Sequence, residues 1–64
     1  MIRTFNFKDW SGHQIKALLK KENNQWVCEI KPHDDAWWPA GSGRNEQEAI
    51  KEAVDFWNSF DSNR

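Results

Sequence analysis

The fold is decided by residues 14–31, whose sequence is QIKALLKKENNQWVCEIK. Apolar and polar residues alternate on both sides of a central Asn23-Asn24 pair. The apolar members are Ile15, Ala17 and Leu19 before the pair and Trp26, Cys28 and Ile30 after it. A period of two places each apolar set on one face of a β-sheet, and asparagine tolerates the positive φ of a tight turn. Residues 14–31 are therefore predicted to form a β-hairpin with one apolar face.

The segments on either side of this hairpin extend the sheet. Phe5 and Phe7 alternate with polar residues, which predicts a first strand, and Ser11-Gly12 supplies the turn before the hairpin. Residues 32–44 are predicted to be irregular, with a short fourth strand around residues 37–42. The expected sheet is antiparallel and has three or four strands.

The last third of the chain predicts a helix. Asn45 is a good N-cap, and Glu48 three positions later suits a capping box. An apolar stripe at helical spacing follows, formed by Ala49, Ile50, Ala53, Val54, Phe56, Trp57 and Phe60. The helix is expected to fray after Phe60 and to leave residues 61–64 as a loose tail.

These elements predict an α+β fold in which an antiparallel three- to four-stranded sheet packs on one C-terminal helix, in the order β-β-β-(β)-α. Residues 1–64 are expected to form a single domain, because no repeat, low-complexity run or linker interrupts them. The expected core consists of Phe5, Phe7, Ile15, Ala17, Leu19, Trp26, Cys28, Ile30, Ile50, Ala53, Val54 and Trp57.

Composition excludes several classes of protein. Nine Lys plus Arg against ten Asp plus Glu argue against a globally basic nucleic-acid arm and an acidic tail. Five Trp and four Phe are too many for a disordered chain. No apolar run approaches the roughly 18 residues of a membrane span, and the first residues lack the apolar core of a signal peptide. The single cysteine, Cys28, cannot form an internal disulfide. A cytoplasmic location is expected.

Three stretches resemble the N-terminal domain of HicB-type antitoxins. They are KALLKK at residues 16–21, QWVCEI at residues 25–30 and GRNEQEAIKEA at residues 43–53, and the similarity covers residues 15–60. The resemblance implies a small α+β unit that binds a toxin protein or forms dimers. In that family a DNA-binding segment usually follows the helix, and none is expected here. The tract DDAWWP at residues 34–39 replaces a Pro-Gly-rich tract of the family.

The sheet face turned away from the helix is the first candidate site. It is expected to display Lys8, Trp10, Lys16, Leu18, Lys20, Val27 and Lys31. Leu18 and Val27, with Trp10, favour contact with a protein partner or a second copy of the chain. The alternative is nucleic-acid binding through Lys8, Trp10, Lys16, Lys20 and Lys31, because aromatic rings stack on bases while cations bind phosphates. A simply solvated face is also compatible with the sequence.

Trp37 and Trp38 are the second candidate site. Adjacent residues of an extended segment point to opposite sides, so only one indole easily reaches the core. The other indole is either an anchor for a partner, as tryptophan often is at interfaces, or a cap on the open end of the small core. The sequence leaves both interpretations open.

No arrangement of residues predicts catalysis. No serine has the context of a nucleophile elbow, and Cys28 lies in the middle of a strand on the predicted inner face. His33-Asp34-Asp35 together with His13 is better explained as a polar turn than as a metal site, which needs three or four converging ligands. The glycine-rich residues 41–45 lack a P-loop lysine. No enzymatic activity, cofactor or metal is expected.

Overall fold

A computed structural model describes residues 2–33 and 36–62, with residues 61 and 62 described by their backbone only. The strands are β1 (Ile2–Lys8), β2 (Gln14–Glu22), β3 (Gln25–Lys31) and β4 (Trp38–Gly43), and the helix is α1 (Glu46–Ser62). All neighbouring strands are antiparallel and the sheet order is β1-β2-β3-β4. The predicted α+β class is confirmed, with a four-stranded sheet.

The predicted turns are present and have the expected backbone conformations. Asn23 (φ 49°) and Asn24 (φ 68°) are both left-handed, and they join Glu22 directly to its cross-strand partner Gln25. Two successive left-handed residues match the right-handed twist of a hairpin. Between β1 and β2 the left-handed residue is Gly12 (φ 90°).

A β-bulge and two glycines, Gly41 and Gly43, let β4 lie close to the helix. The β3–β4 register shifts between Cys28 and Glu29, where a bulge interrupts the ladder. A Cβ atom at Gly41 would lie 2.6 Å from the carbonyl oxygen of Ala49 in α1. Such a contact is closer than atoms tolerate, so glycine at this position permits the packing of β4 on α1.

The helix begins as the sequence predicts, with one change in its capping bonds. Asn45 Oδ1 accepts the Glu48 N–H at 2.9 Å, and Glu48 Oε1 accepts the Arg44 N–H at 3.0 Å. The glutamate thus bonds one residue earlier than in a standard capping box. The helix extends to Ser62, two residues beyond the point where the sequence predicts fraying. Residues 63 and 64 lie outside the described part of the chain.

The core lies between the sheet and one side of α1. Its buried hydrophobic residues are Ile15, Ala17, Leu19, Cys28, Ile30, Ala49, Ala53 and Trp57. Five predicted core residues, Phe5, Phe7, Trp26, Ile50 and Val54, are only partly buried, and Val54 is not among those packed against the core. Ala49 is an addition to the prediction. Helix α1 packs chiefly on β4 and β3, which leaves the side chains of β1 less covered. Within the described residues no helix has the length and apolarity needed to cross a membrane.

Candidate interaction surface

The face of the sheet opposite α1, here called the outer face, combines apolar and charged side chains. The cross-strand partners at its centre are Leu18 with Glu29 and Lys20 with Val27. Directly opposite residues of antiparallel strands share a face, so these four side chains form a block in which apolar and charged residues lie on opposite diagonals. Leu18 and Val27 are half-buried by their neighbours. The prediction that both lie on this face agrees with the register.

Lys20 is bound by two glutamates on the same face. Its Nζ lies 3.1 Å from Glu22 Oε2 and 3.1 Å from Glu29 Oε2. The hydrogen bonds to Glu22 and then to Glu29, with the negative charge of Glu29, raise the pKa of Lys20 above its ordinary value. Lys20 is therefore committed to partners within the chain. The outer face is less basic than its lysines alone predicted, because Glu22 and Glu29 share it.

Trp37 lies on the outer face beside the remaining lysines. The Lys31 Nζ lies 5.6 Å from the centre of the Trp37 ring, which is a cation–π distance. Lys16 is the cross-strand partner of Lys31 and lies next to it. The Trp37 side chain also borders a shallow groove of about 390 Å³. Its lining residues are Thr4, Phe5, Asn6, Lys16, Ala17 and Trp37.

Trp38 and Trp10 do not belong to this surface. Trp38 packs edge-on against Trp57 and Phe60, with ring centres 6.0 and 5.7 Å apart, and so completes the core. Trp10 lies beyond the end of β1, where its backbone N–H donates to Asn58 Oδ1 of α1 at 3.0 Å. Its side chain is 60% exposed, but its position in the turn corrects the expectation that it lies among the residues of the outer face.

The buried carboxylate of Asp9 is a feature that the sequence analysis missed. Asp9 Oδ1 accepts the backbone N–H groups of Ser11 and His13 at 3.0 and 2.9 Å. Asp9 Oδ2 accepts the indole N–H of Trp57 at 3.1 Å. Burial alone would raise the pKa of Asp9, but these hydrogen bonds outweigh it and lower the pKa to about 2. Asp9 therefore fastens the β1–β2 turn to the helix.

A local signal for this role does exist in the sequence. Asp9 stands two residues before Ser11 and three before Gly12, the spacing of an aspartate that hydrogen-bonds its own turn. This signal identifies the turn contacts. The contact with Trp57 spans 48 positions of sequence and leaves no such local pattern.

Ser11, His13 and Asp9 are close together but are not arranged for catalysis. Ser11 Oγ lies 2.8 Å from Asp9 Oδ1 and 2.8 Å from His13 Nδ1. A serine nucleophile needs the histidine between itself and the acid, whereas here the serine is between them and its hydroxyl proton goes to the carboxylate. Cys28 is fully buried, and burial raises the pKa of its thiol to about 11.

Metal ligands do not converge in the described part of the chain. No group of three His, Cys, Asp or Glu side chains within residues 2–33 and 36–60 could hold an ion. His33 instead contacts the rings of Trp38 and Trp57 edge-on. Asp34 and Asp35, the other residues of the predicted polar turn, lie outside the described residues.

No protein-family model, curated protein or solved structure matches the chain.

Proposed function

We propose that this protein is a small, non-catalytic, cytoplasmic interaction module that binds a protein partner through its outer face. The observation that carries the proposal is the arrangement of Leu18, Val27 and Trp37 on a sheet face that no described element covers. Leu18 and Val27 offer a partner half-buried apolar area, and Trp37, at the Lys16–Lys31 end of the same face, offers a stiff anchor. This combination is typical of protein interfaces. By its resemblance to HicB-type antitoxins, the module is antitoxin-like or regulatory.

Electrostatics favours a protein over a nucleic acid as the partner. Of the five residues that the nucleic-acid alternative requires, Lys20 is held by two glutamates and Trp10 lies in a turn beside α1. Lys8, Lys16 and Lys31 remain, and Trp37 lies beside Lys31. A nucleic-acid surface needs a continuous basic stripe, whereas Glu22 and Glu29 place negative charge on this face.

Selection from a library of random peptides displayed on phage tests the proposal. Enriched peptides should bind the purified chain and lose about tenfold or more in affinity when Val27→Glu or Trp37→Ala removes part of the surface. Gln47→Glu is the matched control for Val27→Glu, because it adds the same charge at an exposed position on α1. Peptide binding that ignores both outer-face variants, or the absence of enriched peptides, would overturn the proposal.

The nucleic-acid alternative predicts a different result. Light scattering after size-exclusion chromatography should then show a complex with a mixed oligonucleotide pool at low salt that dissociates at high salt, because phosphate contacts release counterions. Such a complex would replace the proposal. A mass that the oligonucleotides leave unchanged at both salt concentrations supports a protein partner.

A further inference from the structure

The two edges of the sheet differ in the state of their backbone groups. At the β4 edge, the Ser42 N–H donates to Glu52 Oε1 at 3.3 Å. Two residues later, the Arg44 N–H donates to Glu48 Oε1 at 3.0 Å. Pro39 has no N–H to offer, and the bulge twists this strand. Both glutamates belong to α1, so the helix closes the β4 edge.

The β1 edge is open, and the turn shows which of its residues face outward. The Asp9 N–H donates to the His13 carbonyl at 2.9 Å, so these two residues form a hydrogen-bonded pair. Hydrogen-bonded and non-bonded pairs alternate along an antiparallel ladder. Alternate β1 residues therefore direct their N–H and C=O away from β2, and they are Ile2, Thr4, Asn6 and Lys8. Among residues 2–33 and 36–60 no group bonds to the outward N–H and C=O groups of these four residues.

The charges on and beside β1 indicate which kind of strand can pair with its open edge. Arg3 and Lys8 are its only charged residues, and Lys16 lies beside Asn6 on β2. Arg3 is paired with Glu46 at 3.3 Å, whereas Lys8 and Lys16 have no ion-pair partner among the described residues. These two lysines oppose the pairing of two identical edge strands, because such a dimer would bring the lysines of both copies together. The same cations attract a strand that carries carboxylates.

We propose that β1 binds an extended, acidic peptide segment of the protein partner as a fifth strand of the sheet. This inference rests on the proposed function, because it names the chemistry of that partner. Main-chain hydrogen bonds to Thr4 and Asn6 provide the pairing, and the side chains of the incoming strand alternate between the two faces. On the outer face its carboxylates lie near Lys8 and Lys16.

The inner side of β1 provides a complementary apolar contact. Phe5 and Phe7 are only half-buried, since α1 packs chiefly on β4 and β3. An apolar residue at alternate positions of the added strand would cover these two rings. The expected partner segment therefore alternates acidic and apolar residues. The groove beside Trp37 begins at Thr4 and Asn6, so the edge and the outer face form one continuous surface.

A peptide of this pattern is the direct probe. An acetylated, amidated heptapeptide of alternating glutamate and valine matches the seven residues of β1, and its control carries lysine in place of glutamate. Isothermal titration calorimetry should show saturable binding of the acidic peptide, at least about tenfold weaker binding of the lysine peptide, and weakening with salt. Equal affinity for both peptides, or no binding below about 1 mM, would overturn the inference.

Methylated peptides test the backbone pairing without altering the protein. One peptide carries an N-methyl group on the backbone nitrogen of every glutamate, and a second peptide carries it on the backbone nitrogen of every valine. Successive backbone N–H groups of a strand point to opposite sides, so each peptide has only one of its two edges blocked. One methylated peptide should lose about tenfold in affinity and the other little, since only one edge faces β1. If both retain full affinity, the peptide does not add to the sheet.

A pair of variants at Asn6 tests the edge from the protein side. Asn6→Pro removes an outward-facing N–H, whereas Asn6→Ala retains it, so only the proline variant should lose peptide binding. A circular dichroism spectrum checks that both variants are folded. If the chain alone has the mass of two copies, and Asn6→Pro reduces it to one, the occupant is a second copy and the inference is wrong.

The two proposals fail in different ways. If the heptapeptide does not bind but library peptides remain sensitive to Val27→Glu, the β1 inference falls and the outer-face function stands. If neither class of peptide binds, both fall.

Discussion

The β1 edge and the β4 edge of the sheet, here called the β1 side and the β4 side, are held to the helix by different kinds of contact. On the β4 side, Gly41 allows the strand to approach the backbone of α1, and Trp38 packs against Trp57. On the β1 side, three polar contacts reach α1: Asp9 with Trp57, the Trp10 N–H with Asn58, and Arg3 with Glu46 at 3.3 Å. Close packing tolerates no change of volume, whereas polar contacts depend on charge. The β4 side should therefore respond mainly to changes of volume and the β1 side mainly to pH.

The largest effect is expected from adding one methyl group on the β4 side. Gly41→Ala places a Cβ atom 2.6 Å from backbone atoms of Ala49 and Ala53, so strand and helix must separate. We expect a loss of about 3 kcal/mol or more in the free energy of unfolding, measured by urea denaturation. Gly12→Ala is the matched control on the β1 side, where the Cβ would meet open space and only the positive φ is unfavourable. Its expected cost is about 1 kcal/mol. Equal losses would contradict the comparison.

Truncating the adjacent tryptophans should separate packing from surface. Trp38→Ala removes an indole that contacts Trp57 and Phe60, and it should cost about 3 kcal/mol of unfolding free energy. Trp37→Ala removes an exposed indole and should cost about 1 kcal/mol or less. Thermal unfolding followed by circular dichroism measures both. A larger loss for Trp37→Ala would mean that Trp37 is the structural residue and would remove it from the proposed surface.

The secondary structure was predictable because its signals are local. Alternation over residues 14–31, the Asn23-Asn24 turn and the Asn45 cap each involve neighbours in sequence, and each is present in the structure. The assignment of the two tryptophans was not predictable. The alternation of side chains along a strand predicts only that Trp37 and Trp38 point to opposite faces of the sheet. The β3–β4 register, with its bulge after Cys28, decides which of the two indoles faces α1.

The charge of the outer face could have been predicted more accurately. Glu22 lies two residues after Lys20 in β2, and Glu29 lies two residues after Val27 in β3. Residues two apart in a strand share a face, so the alternation that places Lys20 and Val27 on the outer face also places both glutamates there. Asp9 is a different case, because its contact with Trp57 depends on how the helix crosses the sheet. Local sequence carries no information on that crossing.

Acid should weaken the β1 side selectively. The pKa of Asp9 falls from 3.8 to about 2 on folding, so between these values the unfolded chain binds the proton and the folded chain does not. The stability due to Asp9 is therefore fully present above about pH 4 and is lost as the pH falls towards 2. Urea denaturation from pH 7 to pH 2 should show wild type and Asp9→Asn converging in this range. A difference between them that stays constant with pH would show that the carboxylate charge is not what holds the turn.

The smallest effect is expected at the closed edge, and it tests why that edge is closed. Glu52→Ala removes the acceptor of the Ser42 N–H, a bond of 3.3 Å at an exposed position, so the unfolding free energy should fall by less than about 1 kcal/mol. The glutamate–valine heptapeptide should still bind with a stoichiometry of one, because Pro39 and the bulge continue to prevent pairing at β4. Isothermal titration calorimetry gives this stoichiometry, with Gln47→Glu as the control at an exposed position on α1. A second binding site in Glu52→Ala would mean that the side chain of Glu52 alone closes β4. The asymmetry between the two edges would then depend on one glutamate of the helix and not on the backbone of the strand.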